Sequence, residues 1–305
     1  MTIYLATNSD GKHTEGIGAM VQYQMACYAA AKMYNLNYAF FGFKNLTHYQ
    51  YFDITQQKFC DDINLFFSLP NQFDRSEDYD VMHFDRVDNS LLDYVKNHNM
   101  EDNIICFISP SGLMRFLENN IKQIEENGWF QDLKKSLQIP IIQKTSGILE
   151  VSIHIRKLTQ TDCDPNPIRD LYDSSKKQRL VKLIEKIFNI TKCNIHIHSQ
   201  GKEILEIKNL LQNQDHIFFH LDEYPIKTLS DLINSDILIA ANSSLSYISH
   251  LYGNQITLIR DNFYHKTYEN TIKLDYNFNF DQAKLILLLG KKISDNTNYS
   301  MLNKQ

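Results

Sequence analysis

From Ile148 to Leu289 the chain alternates short β-rich apolar runs with helix-like stretches, and that alternation restricts the fold more than any other feature. The runs are Ile148–Lys157, Asn194–His198, Ile217–Leu221, Asp236–Ala240, Gln255–Ile259 and Thr271–Leu274. Between and after them, helical patterns cover Ser174–Phe188, Glu203–Leu211, Pro225–Asn234, Leu245–Tyr252 and Phe280–Leu289. In the first of these Leu180, Leu183, Ile184, Ile187 and Phe188 share one face, and in the third proline occupies the first turn. Strands separated by helices at this spacing predict a parallel sheet with right-handed crossovers. The tail from Ser294 to Gln305 is expected to fray.

The first half repeats the theme less regularly. Ile3–Ala6 opens as a strand, Thr7–Glu15 is a polar loop, and Ile17, Val21, Met25 and Tyr28 step at helical spacing. Strands are predicted at Asn37–Phe43, Val81–Phe84 and Asn103–Ile108, and helices around Leu91–Val95, over Ser111–Asn127 and over Trp129–Leu137. Lys44–Asp80 is aromatic-rich and reads as an irregular subdomain, either loop packing or a sugar-binding wall. Pro140 breaks the last helix, which sets a domain boundary between Gln138 and Gly147 and gives two domains, 1–145 and 146–305. A chain of 305 residues accommodates two such cores.

Composition narrows the function. Hydrophobic residues make up 43% and charged residues 22%, as in a globular chain. A net charge of −5 supplies no global basic field for nucleic acid or an anionic membrane, so an anion site has to be local. Cys27, Cys60, Cys106, Cys163 and Cys193 are odd in number and widely spaced, which points to a reducing compartment. Neither a signal peptide pattern nor an apolar run of transmembrane length is present, and a cytoplasmic protein without an anchor is expected. The oligomeric state is left open.

Local anion seats occur at strand ends. His154 and Arg156, two apart, share one face at the end of the central strand. Open α/β sheets bind ligands beyond the carboxyl ends of their strands, and a guanidinium there can grip phosphate oxygens bidentately. Ser199–Gly201 and Asn242–Ser246 follow two further strands, the latter at a helix start where hydroxyls and free N–H groups gather. Serine as a plain helix cap explains Ser243 or Ser244 equally well. Gly16 and Gly18 form a glycine turn between strand and helix, open to backbone approach by an anion or to tight packing. It lacks the third glycine of the dinucleotide fingerprint.

These blocks resemble a family. His154-Ile155-Arg156-Lys157 is similar to the HxRRxD motif of the α1,2- and α1,6-fucosyltransferases and the O-fucosyltransferases. Gly16-Ile17-Gly18-Ala19-Met20-Val21-Gln22-Tyr23 resembles their GxGNQxxQ motif, and Ile195–Gly201, Leu229–Ile239 and Asn242–Tyr247 resemble their carboxyl-terminal module. The order and spacing of the blocks match. The resemblance implies a GT-B-like α/β fold of two Rossmann-like domains facing across a cleft, with the acceptor on the amino-terminal side and the nucleotide sugar on the carboxyl-terminal side. It implies that Arg156 holds the donor diphosphate, that His154 contacts the nucleotide, and that Ser199, Ser243 and Ser244 line its pocket. Gly16 and Gly18 would approach the diphosphate or the acceptor.

The implied activity is inverting, metal-independent transfer of a sugar from a nucleoside diphosphate donor to a glycan hydroxyl, with no cofactor. Inversion needs charge stabilisation on the leaving diphosphate and a base near the acceptor. Arg156 serves the first; Glu15 and Asp162, then Asp164 and His13, are candidates for the second. Asp162-Cys163-Asp164 has metal-binding DxD spacing but falls in a proline-containing loop, and no metal ligand set is expected. The chain departs from the family pattern at Lys157, Leu158-Thr159 and Ala19-Met20. GDP-fucose is therefore the first expectation for the donor and a UDP-pentose the alternative, with a non-catalytic nucleotide- or glycan-binding protein as a third reading.

Overall fold

The computed structural model describes residues 2–7, 15–73, 78–97, 103–139, 147–156, 174–200, 205–211, 215–261, 263, 265–267 and 270–302. Two units emerge, Met1–Pro140 and Ile141–Gln305, and each is an α/β unit built on a parallel sheet.

The first unit contains β1 (Ile3–Thr7), α1 (Ile17–Met33), β2 (Asn37–Tyr38), α2 (Gln56–Phe67), β3 (Asp80–Phe84), α3 (Asn89–Asn97), β4 (Ile104–Ile108), α4 (Pro110–Glu126) and α5 (Trp129–Ser136), with a short 3-10 turn at Tyr49–Phe52. Its sheet order is β2-β1-β4-β3. Helix α1 is buried on nearly every side, Gln22 and Gln24 included. Burial of an amide needs partners, and Gln24 has them: its Nε2 donates to Thr7 Oγ1 at 3.0 Å and its Oε1 accepts from the Tyr38 hydroxyl at 2.8 Å.

Two expectations for this unit are corrected. The strand foreseen over Asn37–Phe43 stops at Tyr38, because side chains replace the ladder beyond Ala39. Asn71 Oδ1 accepts from the Phe40 N–H at 3.2 Å and Asn64 Oδ1 from the Phe43 N–H at 2.7 Å, while Gly42 turns the chain with φ +79°. The stretch expected to be irregular instead holds the twelve-residue helix α2. Thr55 caps it, and Phe59, Cys60, Ile63, Phe66 and Phe67 form its buried face.

The second unit contains β5 (Leu149–His154), α6 (Ser174–Ile190), β6 (Cys193–Ser199), α7 (Leu205–Leu211), β7 (Ile217–Leu221), α8 (Pro225–Asn234), β8 (Ile237–Ile239), α9 (Ser244–Tyr252), β9 (Ile256–Arg260), β10 (Thr271–Leu274) and α10 (Gln282–Leu302). Helix α10 runs past Ser294, where fraying was expected; no proline interrupts it, and Gly290 lowers helix propensity without ending the helix. All six strands are parallel, in the order β10-β9-β8-β5-β6-β7.

One face of this sheet is apolar. Val151, Ile153, Ile195, Ile197, Ile237 and Ile239 join Leu180, Leu183, Ile184 and Ile187 of α6 and Leu285 and Leu289 of α10 in one core. Strand alternation turns Glu150, Ser152 and His154, then Asn194, His196 and His198, then His216, Phe218 and His220 to the opposite face. Helix α8 lies against that polar face, with Ser152 Oγ donating to the Asp231 carbonyl at 3.3 Å. Among the described residues no helix is long and apolar enough to cross a membrane.

Candidate functional site

The strand order locates the site. From β5 the chain builds outward through β6 and β7 on one side, then returns to build β8, β9 and β10 on the other. At such a reversal the crossovers leave neighbouring strands toward opposite faces and open a crevice outside their carboxyl ends, where α/β sheets hold ligands. The reversal lies between β5 and β8. On the β5 side the crevice is bounded by His154, Ile155 and Arg156, and on the β8 side by Ala240–Ser243 and the start of α9.

One hydroxyl joins the two sides. Ser246 Oγ accepts from the Ala241 N–H at 3.1 Å and lies 2.7 Å from His154 Nδ1. The hydroxyl can donate to Nδ1 or accept from it, since accepting from Ala241 uses only one of its two lone pairs. The imidazole is held neutral: burial first, then the Arg156 guanidinium, lowers its pKa to about 4. Ser246 is fully buried, so the pairing is shielded from water. The result is a ring held at Nδ1, with Nε2 as its remaining polar atom, beside a cation at Arg156.

The residues singled out in the sequence take different places. The carboxyl ends of β6, β5 and β8 are adjacent, and His154, Arg156, Ser199, Ser243 and Ser244 all lie at them. Ser199 Oγ donates to the Ile155 carbonyl at 3.0 Å and ties the end of β6 to the chain leaving β5. Ser243 is the cap of α9, accepting from the Leu245 N–H at 3.2 Å, and its own N–H donates to the Ala241 carbonyl at 2.8 Å. Ser244 is the first residue of α9. Asn242 is buried beside them, and its Oδ1 accepts no hydrogen bond among the described residues.

Glu15, Gly16 and Gly18 belong to the first unit. Glu15 Oε1 accepts from the Tyr23 hydroxyl at 2.9 Å, and its carbonyl accepts from the Thr47 N–H at 3.1 Å. Gly16 caps α1 with φ −71°, a backbone open to any residue. A side chain there would press on the His48 ring, 3.3 Å from where a Cβ would stand. Gly18 is buried within the first turn of α1. Asp162, Asp164, Lys157, Gly201 and His13 lie outside the described residues.

Sequence reasoning grouped Ser246 with its neighbours but assigned it no role. Its signal is positional: it sits one helical turn beyond Ser243, so it is the serine of that cluster whose side chain points back toward the strand ends.

No family model matches the chain, and no curated protein matches it in sequence. Several solved structures resemble it. An Arabidopsis thaliana FUT1 variant in complex with GDP is 11% identical, with a TM-score of 0.44 over 88% of this chain and 72% of that one. The E. coli heptosyltransferase WaaC with ADP is 10% identical, with a TM-score of 0.46 over 97% of this chain and 99% of that one. POFUT1 in complex with GDP-fucose is 11% identical, with a TM-score of 0.40 over 83% of this chain and 94% of that one.

Proposed function

We propose that this chain is a glycosyltransferase that moves a sugar from a nucleoside diphosphate donor to a glycan hydroxyl, and that the second unit binds the donor at the crevice between β5 and β8. The reading is carried by the reversal of strand order at that crevice, with His154 and Arg156 on one side and the Ser246-anchored start of α9 on the other. Arg156 grips the diphosphate and stabilises the charge that develops on it as the glycosidic bond breaks, in the role a metal has in other transferases. His154, neutral and held by Ser246 at Nδ1, meets the nucleotide through Nε2. The asparagine acceptor at Asn242 Oδ1 is available to a ligand donor. Glu15 and Asp162 are the candidates for the base that takes the acceptor proton. GDP-fucose is the first donor in this reading, on the strength of the motif resemblance, and a UDP-pentose the second.

A donor panel tests the proposal. Thermal unfolding is followed with GDP-fucose, UDP-xylose and other nucleoside diphosphate sugars, and sugar transfer to glycan acceptors is measured for any that bind. A ligand at a hundred times its Kd stabilises by about 2.7 kcal/mol, which is readily seen. Arg156→Ala is expected to lose about 1.5–3 kcal/mol of donor binding for each charged hydrogen bond removed, with the fold intact. Absence of any shift across the panel would overturn the reading, and binding without transfer would make the protein a nucleotide-sugar binder.

A further inference from the structure

On the polar face of the second sheet, one strand away from the crevice, four potential ligands converge: His198 on β6, His220 on β7, Glu223 in the turn after β7 and Asp231 on α8. One ligand atom from each lies within 4.8 Å of the others. We infer that these four side chains form a binding site for a divalent transition metal of the zinc class. The inference is independent of the glycosyltransferase reading.

The backbone builds the cluster. Parallel register sets His198 directly beside His220, and their rings stack at 4.6 Å. Asp222 takes a left-handed conformation, φ 54°, and folds the chain so that Glu223 Oε1 comes 3.0 Å from His220 Nδ1.

His198 is only 1% exposed, and among the described residues neither Nδ1 nor Nε2 has a hydrogen-bond partner. A neutral imidazole carries one donor and one acceptor, and leaving both buried and unmet is unfavourable.

A chain of ring contacts sets His220 beside the same cluster. Glu150 Oε2 meets His196 Nε2 at 2.7 Å, His196 Nδ1 meets His220 Nε2 at 2.9 Å, and His220 Nδ1 meets Glu223 Oε1 at 3.0 Å. Two neutral rings between two carboxylates supply two protons for three contacts, and the third contact is met either by one more ring proton or by a cation at His220. If Glu150 orients His196, and His196 orients His220, the lone pair of His220 Nδ1 is left facing Glu223. That is the outer-shell arrangement in which a carboxylate and a second ring set a metal-bound histidine.

The Lys227 ammonium already samples this position, 2.8 Å from Glu223 Oε2, 3.2 Å from Asp231 Oδ2 and 3.4 Å from His220 Nδ1. Its side chain is 54% exposed, whereas His198 gains no partner from it. Two imidazole nitrogens and two carboxylate oxygens suit zinc, at bonds of roughly 2.0–2.2 Å in a closed four-ligand site of the structural kind. Such an ion would clamp β6, β7 and α8 together. Spacings of 22, 3 and 8 residues match no zinc motif, so only the fold assembles the set.

The test is a Co²⁺ titration of the full chain after chelator treatment, read by visible absorption, with Zn²⁺ as competitor. One Co²⁺ per chain with a tetrahedral spectrum, displaced by Zn²⁺, is expected. Glu223→Gln, at a partly exposed turn, is expected to weaken binding at least tenfold, His198→Gln to abolish it, and Lys227→Met to tighten it. Circular dichroism checks that each variant is folded. Binding unchanged in Glu223→Gln would assign the ion to other residues and overturn the inference. Binding seen only in Lys227→Met would overturn it too, by making Lys227 the resident cation.

Discussion

Ser246 shows how much of a site can rest on one hydroxyl. It accepts from the Ala241 N–H and is hydrogen-bonded to His154 Nδ1, so it ties both the turn after β8 and the ring of the histidine at the end of β5. Ser246→Ala leaves a buried backbone N–H and a buried ring nitrogen without partners, and is expected to lower the unfolding free energy by about 1–3 kcal/mol, measured by urea denaturation. It should also weaken donor binding, because the ring is then free to rotate. Ser243→Ala, which removes only the cap, is expected to cost about 1 kcal/mol. Equal effects on donor binding from the two variants would contradict the orienting role of Ser246. The sequence displays Ser243, Ser244 and Ser246 as the same residue type within four positions, and residue type cannot separate a cap from a bridge. That distinction depends on which way each side chain leaves α9 and on how far the end of β5 lies from it.

At the scale of the elements, the second unit was more legible than the first, for a physical reason. Its strands are short apolar runs in a parallel sheet, and its helices carry regular apolar stripes, so pattern and structure agree from β6 to β10. In the first unit, α2 carries the same helical signal in Phe59, Cys60, Ile63, Phe66 and Phe67, but the aromatic residues on either side mask its period. The shortness of β2 had no sequence signal, because the polar groups that replace its ladder come from distant asparagines. Asn64 serves Phe43 twice, accepting from its N–H at 2.7 Å and donating to its carbonyl at 3.0 Å. Asn64→Leu keeps the size of the side chain and removes both bonds. A loss of roughly 1–3 kcal/mol is expected in thermal or urea unfolding. A neutral outcome would mean that water replaces the amide and that α2 does not depend on this tie.

For the whole molecule, the alternation of strands and helices announced parallel sheets, but not the order β10-β9-β8-β5-β6-β7 from which the crevice follows. Order depends on which strand the chain returns to, and the face that carries the histidines depends on register; neither is a local property. The same burial has a consequence for acid stability. His250, whose Nδ1 lies 3.0 Å from Thr257 Oγ1, and His265, stacked on Tyr247 at 4.2 Å, both have their pKa lowered to about 4 by burial. In the unfolded chain each titrates near 6.5. Between these values the unfolded state binds more protons than the folded state, so stability rises with pH across the window. The contribution is complete above about 6.5 and is lost as pH falls toward 4. From pH 7 to pH 5 each histidine withdraws about 2 kcal/mol, and the two together about 4 kcal/mol, a large part of a typical folding free energy. Urea unfolding of the wild type and of the His250→Gln, His265→Gln double variant at both pH values isolates this part, since the remaining groups titrate alike in both proteins. The wild type is expected to lose about 4 kcal/mol more than the variant. Parallel losses would mean that the two rings are hydrated in the folded protein and titrate as they do in the unfolded chain.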